Sequence, residues 1–179
     1  MGLDWVATAK ADGTNPRTTL GMRQISRDDP ETVEEFRKLW ESHREGASDS
    51  NPRHKEYWTR PFETVLDEIL AEEGGAPFIA TKDTKIPEFC TGGSFAVDQS
   101  ISWRGKRLNF VGLPAELVNA AYEDMTPDEM LVYADRLEAA SLDSSAADMT
   151  PEEAEETVKE AVAWLRFWAN HGHGLYAWS

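Results

Sequence analysis

Cysteine is nearly absent: the chain of 179 residues has one, Cys90. A single thiol builds no internal disulfide framework, so the fold must be held by its own core. Long apolar runs are missing too. No stretch approaches the ~20 residues that cross a bilayer as a helix. The first ten residues lack the basic head and apolar run of a secretory leader. Positive charge is scarce, with 18 Lys and Arg against 33 Asp and Glu, a formal charge of -15. That balance argues against a nucleic-acid polymer or an anionic membrane as partner, because neutralising phosphates needs a basic stripe. Walker A, GxGxxG, GxSxG and HExxH motifs are absent, so no cofactor and no metal is expected, and the chain reads as a binding protein more than an enzyme. These absences leave a soluble globular chain of a reducing compartment, expected in the cytoplasm.

What is present fills a core. The hydrophobic fraction is 40% and there are seven tryptophans. A chain of this size buries roughly 70% of the surface its unfolded form exposes, which suits a single domain over 1–179. The charge is uneven. Residues 116–179 hold 14 acidic and 3 basic groups, while residues 1–60 hold 11 and 10.

The local pattern predicts an α+β fold with four or five helices around a small sheet. Asp29-Pro30 opens a helix to about Gly46, with Val33, Phe36, Trp40 and His43 on one face. A second runs over 61–73, burying Phe62, Val65, Leu66, Ile69 and Leu70. A short third covers 114–123. Thr126-Pro-Asp-Glu129 and Thr150-Pro-Glu-Glu153 are capping boxes, each with Pro at the first helical position. They start helices over 127–140 and 151–170. The former should bury Met130, Tyr133, Ala134 and Leu137, the latter Ala154, Val158, Ala161, Leu165 and Trp168. Between them, 141–149 reads as a polar linker. Strands are expected at Leu3–Thr8, 77–81 and Leu175–Trp178, with extended pieces at 94–97 and 108–111. The two terminal strands should share the sheet, since lone short strands are not stable. Residues 12–28 read as a loop.

Several groups could carry chemistry. Trp103-Arg104-Gly105-Lys106-Arg107 joins an aromatic face to guanidinium and ammonium donors, the residue types that hold an anionic, ring-bearing ligand. The plainer alternative is an exposed turn whose charges are merely solvated. If 103–106 is extended, Trp103 and Gly105 point one way and Arg104 and Lys106 the other, so a shared ligand needs a kink at Gly105. His171-Gly172-His173 is either a metal half-site or acid–base pair, or a helix C-terminus favoured by the dipole. A second basic group, 53–55 with Arg60, interleaves with Tyr57 and Trp58. Trp164, Phe167, Trp168, Tyr176 and Trp178 crowd the chain's end, which calls for core packing, a ligand cleft or a homo-oligomer interface.

Met1-Gly-Leu-Asp4-Trp, Ser102-Trp-Arg-Gly-Lys106, Ala134-Asp-Arg-Leu137 and Gly172-His-Gly-Leu-Tyr-Ala-Trp178 occur in that order. Together they resemble a loose family of small, uncharacterised phage, prophage and bacterial proteins. Trp103 stands where Phe is more usual there. The resemblance brings no activity or catalytic residues. It implies an accessory role, such as sequestering a host immune signalling nucleotide in the host cytoplasm.

The expectation is therefore a binding protein for a small anionic, nucleotide-like ligand, using Trp103, Arg104, Lys106, Arg107, His171, His173 and Trp178. Two alternatives stand beside it. One is an acidic protein-interaction or DNA-mimic module that meets a basic host protein. The other is a small hydrolase using His171 and His173.

Overall fold

The computed structural model describes residues 2–45, 56, 59–71, 78–80 and 101–179. The side chain of His43, the basic and aromatic residues at 53–55, 57 and 58, Cys90 and the extended piece expected at 94–97 lie outside the description. The element order is β1 (Asp4–Ala7), α1 (Pro16–Thr19), β2 (Met22–Gln24), α2 (Pro30–Glu45), α3 (Phe62–Ala71), β3 (Phe78–Ala80), β4 (Ser102–Trp103), a 3-10 helix (Gly105–Phe110), α4 (Ala115–Ala120), α5 (Pro127–Glu138), α6 (Pro151–Asn170) and β5 (Leu175–Trp178). The fold is α+β. All five expected helices form, and α1 and the 3-10 helix are additions. The loop expected over 12–28 contains α1 and β2.

The described residues group into two compact units, one up to Thr19 and from residue 101 onward, the other from Leu20 to residue 80. In the second unit β2 and β3 pair antiparallel. Its core gathers Ile25, Phe36, Trp40, Val65 and Leu66. The two helical stripes read from the sequence supply four of these five residues.

The first unit is built on a three-stranded sheet in the order β4-β1-β5. β1 lies in the middle, antiparallel to both neighbours, with Trp5 opposite Trp103 and Ala177. The terminal strands thus share one sheet, as expected. The outer edge of β5 is occupied. Leu175 N–H donates to the Met125 carbonyl at 2.8 Å, and Ala177 N–H to Asp124 Oδ1 at 2.9 Å. A strand edge with its donors taken is a poor template for pairing with another chain.

Above the inner face sit α4, α5, α6 and the 3-10 helix. Both capping boxes form. The Thr126 and Thr150 hydroxyls accept from Glu129 and Glu153 N–H, and each Glu reaches back to the cap N–H. The α6 stripe is buried: Ala161, Trp164, Leu165 and Trp168 have no exposed surface. Residues 108–111 do not form a strand. Gly105, Leu108 and Val111 are buried at three-residue spacing, the period of a 3-10 turn, and two-residue alternation would have exposed one of them.

The segment 141–149 is docked rather than loose. Asp143 N–H donates to the Gly112 carbonyl at 2.8 Å, and Asp148 N–H to the Phe110 carbonyl at 3.0 Å. Gly112 has φ +77°, and a Cβ there would lie 2.2 Å from the Asp143 carbonyl oxygen, so only glycine allows this approach.

Two substitutions test this packing. Leu165→Ala should destabilise by about 2–5 kcal/mol as a large-to-small core change. Thr150→Ala should cost about 1 kcal/mol by removing the cap acceptor. Denaturant midpoints measure both, and a Leu165→Ala cost no larger than the Thr150→Ala cost would remove the α6 stripe from the core.

Candidate functional site

The pleat of β1 sorts its side chains. Trp5 and Ala7 are buried, while Asp4 and Val6 are half-buried on the opposite face. Trp178 stands opposite Asp4 and Tyr176 opposite Val6. Directly paired residues share a face, so the outer face carries Asp4, Val6, Tyr176 and Trp178. Both aromatics are open to solvent, Trp178 at 63% and Tyr176 at 49%.

Arg104 joins the same row from the other side. Trp103 is opposite Trp5, and Lys106 N–H donates to the Leu3 carbonyl at 3.0 Å. Arg104 lies between those two contacts, level with Asp4. Its neighbours Trp103 and Gly105 are buried, and its own side chain is exposed. The order across the face is Arg104, Asp4, Trp178. Neighbouring strands lie about 4.8 Å apart, so the row spans roughly 10 Å. Asp4 and Arg104 have no ion-pair partner among the described residues. Beyond Val6 and Ser102 the face sinks into a depression of about 320 Å³, walled also by Asn15, Arg17 and Ile101.

The residues named from the sequence thus separate. Trp103 does not offer its ring to a ligand: it is 8% exposed and packs 4.9 Å from the Trp5 ring. Gly105 serves that packing, since a Cβ there would lie 2.8 Å from Trp5 Nε1. Arg107 binds α6, with Nη1 2.6 Å from Glu160 Oε2 and Nη2 3.3 Å from Thr157 Oγ1. Lys106 is exposed and makes no ion pair among the described residues. Arg60, from the second basic group, pairs with Glu68. Arg104 and Trp178 are the two named residues that share an open face. Sequence reasoning missed Asp4, because strand order decides what stands between them.

The histidines do not converge. His171 caps α6, with Nδ1 donating to the Phe167 carbonyl at 2.7 Å. His173 is buried. Its Nδ1 lies 2.7 Å from the Thr8 carbonyl and its Nε2 2.6 Å from Thr19 Oγ1. A carbonyl only accepts, so Nδ1 carries a proton; in the neutral ring, which burial favours, Nε2 accepts from the threonine hydroxyl. The ring is then a neutral tie between the chain after β1, α1 and the start of β5. Among the described residues no three His, Cys, Asp or Glu side chains converge as metal ligands.

A second concavity, of about 680 Å³, lies between the end of α5, the docked 141–147 segment and α6. Its lining is mostly apolar, including Leu137, Leu142, Val158 and Val162, with Glu155 and Lys159 among its charged residues. No sequence motif marks it, because it depends on how 141–147 folds back.

Burial holds the His173 pKa below its ordinary value of 6.5. Lys10 and His171 act the same way, against the Thr8 carbonyl and Asp12. Above pH 6.5 neither the folded nor the unfolded chain holds the extra proton, and this contribution to stability is complete. As pH falls through that value the unfolded chain takes up the proton first, so stability is lost. The melting temperature should fall between pH 7.5 and 5.5, and fall less in His173→Gln. Equal pH slopes in the two proteins would contradict the neutral tie.

No family model matches this sequence, and no curated protein or solved structure matches it either.

Proposed function

We propose that this chain is a non-enzymatic binding protein for a small anionic, nucleotide-like ligand, held on the outer face of the three-stranded sheet. One observation carries the reading: Arg104, Asp4 and Trp178 form a single row on the open face, the first and last exposed and Asp4 half-buried, in which neither charge has an ion-pair partner among the described residues. Each supplies a different interaction. The Trp178 indole stacks on a flat ring. The Asp4 carboxylate accepts from hydroxyl or amino groups, as an acidic residue does with a ribose diol. The Arg104 guanidinium forks onto a phosphate or carboxylate. The row is comparable in length to a nucleotide from base to phosphate. Lys106, also without an ion-pair partner among the described residues, adds a second cation near the anionic end. The charge of -15 does not prevent binding there, because fields are screened beyond about 8 Å at physiological salt.

The resemblance to phage proteins supports an accessory role in the host cytoplasm, withdrawing a signalling nucleotide by stoichiometric capture. Among the described residues no helix is long and apolar enough to cross a membrane.

The test is a thermal-shift and equilibrium-binding panel of nucleoside monophosphates, cyclic dinucleotides and adenosine-diphosphate-ribose. A ligand at a hundred times its Kd should stabilise the protein by about 2.7 kcal/mol. Arg104→Ala should remove a charge-assisted bond and weaken that ligand by about ten- to a hundredfold, without moving the melting temperature of the free protein. Trp178→Ala should weaken it as well. Trp103→Ala should instead lower stability. No stabilising member in the panel, or unchanged affinity in Arg104→Ala, refutes the reading.

A further inference from the structure

The open face does not end at Arg104. Ser102 stands two residues before it on β4 and on the same face, about 7 Å away at two strand rises. Ser102 and Val6, its partner on β1, both line the depression of about 320 Å³. The chain after β1 and α1 complete the wall. Ala9, Pro16 and Ile101 continue its apolar side, and Asn15 and Arg17 its polar side. No carboxylate lines it among the described residues. The Asn15 side chain is oriented, because its Oδ1 accepts from Arg17 N–H at 2.9 Å. That leaves Nδ2 as a donor with no hydrogen-bond partner among the described residues. Apolar walls with a few polar groups, at the lower end of the volumes of small-molecule sites, suit a single sugar or ring.

With a ring on Trp178 and a phosphate on Arg104, the phosphate lies between the stacked ring and the depression. A free terminal phosphate leaves the depression empty. A phosphate that carries a second organic group delivers that group past Ser102 and into it. We infer that the ligand continues beyond its phosphate, as a nucleotide whose phosphate is joined to a second sugar or base seated in the depression. The inference rests on the nucleotide reading of the row and names its ligand class: phosphate diesters and sugar diphosphates over free monophosphates. Two features of the site support that class. A sugar or base brings hydroxyl or carbonyl acceptors for Asn15 Nδ2 and a surface to cover Val6, Pro16 and Ile101. Charge favours it as well. A terminal phosphate carries about 1.5–2 negative charges near pH 7, and a diester carries only one. Asp4 stands one strand spacing from Arg104, about 4.8 Å, so its carboxylate opposes the diester less.

The probes are nucleoside monophosphate methyl esters of the four bases, which have a diester's charge but no second ring. Each is compared with the dinucleoside monophosphate of the same base, and each nucleoside diphosphate with its glucose ester. The two comparisons tell a base in the depression from a sugar. For at least one base, a probe with the second group should bind about tenfold or more tighter than its control. Ala9 is exposed at the depression, so Ala9→Trp fills the space from a position outside the core. It should abolish that advantage and leave the methyl ester's affinity unchanged. That unchanged affinity also shows the variant to be folded, and Ala9→Leu replaces it if the melting temperature falls. Arg104→Ala should weaken control and extended probe alike. A methyl ester that binds through Arg104, with no gain from either second group, overturns this inference and leaves the reading of the row standing. A gain that survives both Ala9 substitutions overturns the depression as its seat. Binding of none of the probes, or binding indifferent to Arg104→Ala, overturns the reading of the row and this inference with it.

Discussion

Trp5 holds the first unit together. It is fully buried in the middle strand, and its indole N–H donates to the Ala121 carbonyl at 2.8 Å, reaching across 116 residues of chain. Its ring lies 4.9 Å from Trp103, 5.9 Å from Trp164 and 6.0 Å from Tyr133. One side chain thus touches β4, α5 and α6 and bonds the residue that ends α4. Aromatic pairs at these distances contribute about 0.5–1.5 kcal/mol each beyond burial. The indole N–H also had to find an acceptor, since a buried donor left unpaired costs about 1–3 kcal/mol. Gly105 is the concession the backbone makes, passing where any Cβ would strike the indole.

The same constraint sets the outer face. With Trp5 committed inward, alternation along β1 turns Asp4 and Val6 outward. Pairing on one side then brings Trp178 beside Asp4, and on the other the chain leaving Trp103 carries Arg104 to the same level. Stability and the candidate site are two sides of one pleat. The charge pattern follows a similar division. Arg104 and Lys106, without ion-pair partners among the described residues, stand by the sheet, whereas the α5–α6 pair carries exposed carboxylates and an apolar groove.

Local chemistry made the helices legible. Thr126 with Glu129, and Thr150 with Glu153, satisfy one another within three residues, so no distant contact can move those helix starts. The α6 stripe was legible for the same reason, its period being a property of the segment itself. Trp103 misled because an aromatic beside arginines reads alike in a binding site and in a core, and only the partner strand decides. The 3-10 helix was hidden because Leu108 and Phe110 also fit a two-residue alternation, and tertiary packing chose the three-residue one. Segment 141–149 looked polar enough for a linker, yet its backbone bonds to Phe110 and Gly112 are invisible to composition. Asp4, the middle of the candidate row, could be found only from strand order.

The β1 pleat puts Trp5 in the core and Trp178 on the open face. Hydrogen exchange of the tryptophan indole N–H groups, resolved by nitrogen-15 NMR, tests it most directly. Trp5 should exchange only through global opening of its unit, because its donor is buried and bonded. Trp178 should exchange as fast as a free indole. A rapidly exchanging Trp5, or a Trp178 protected in the free protein, would contradict the face assignment, and with it the row of Arg104, Asp4 and Trp178.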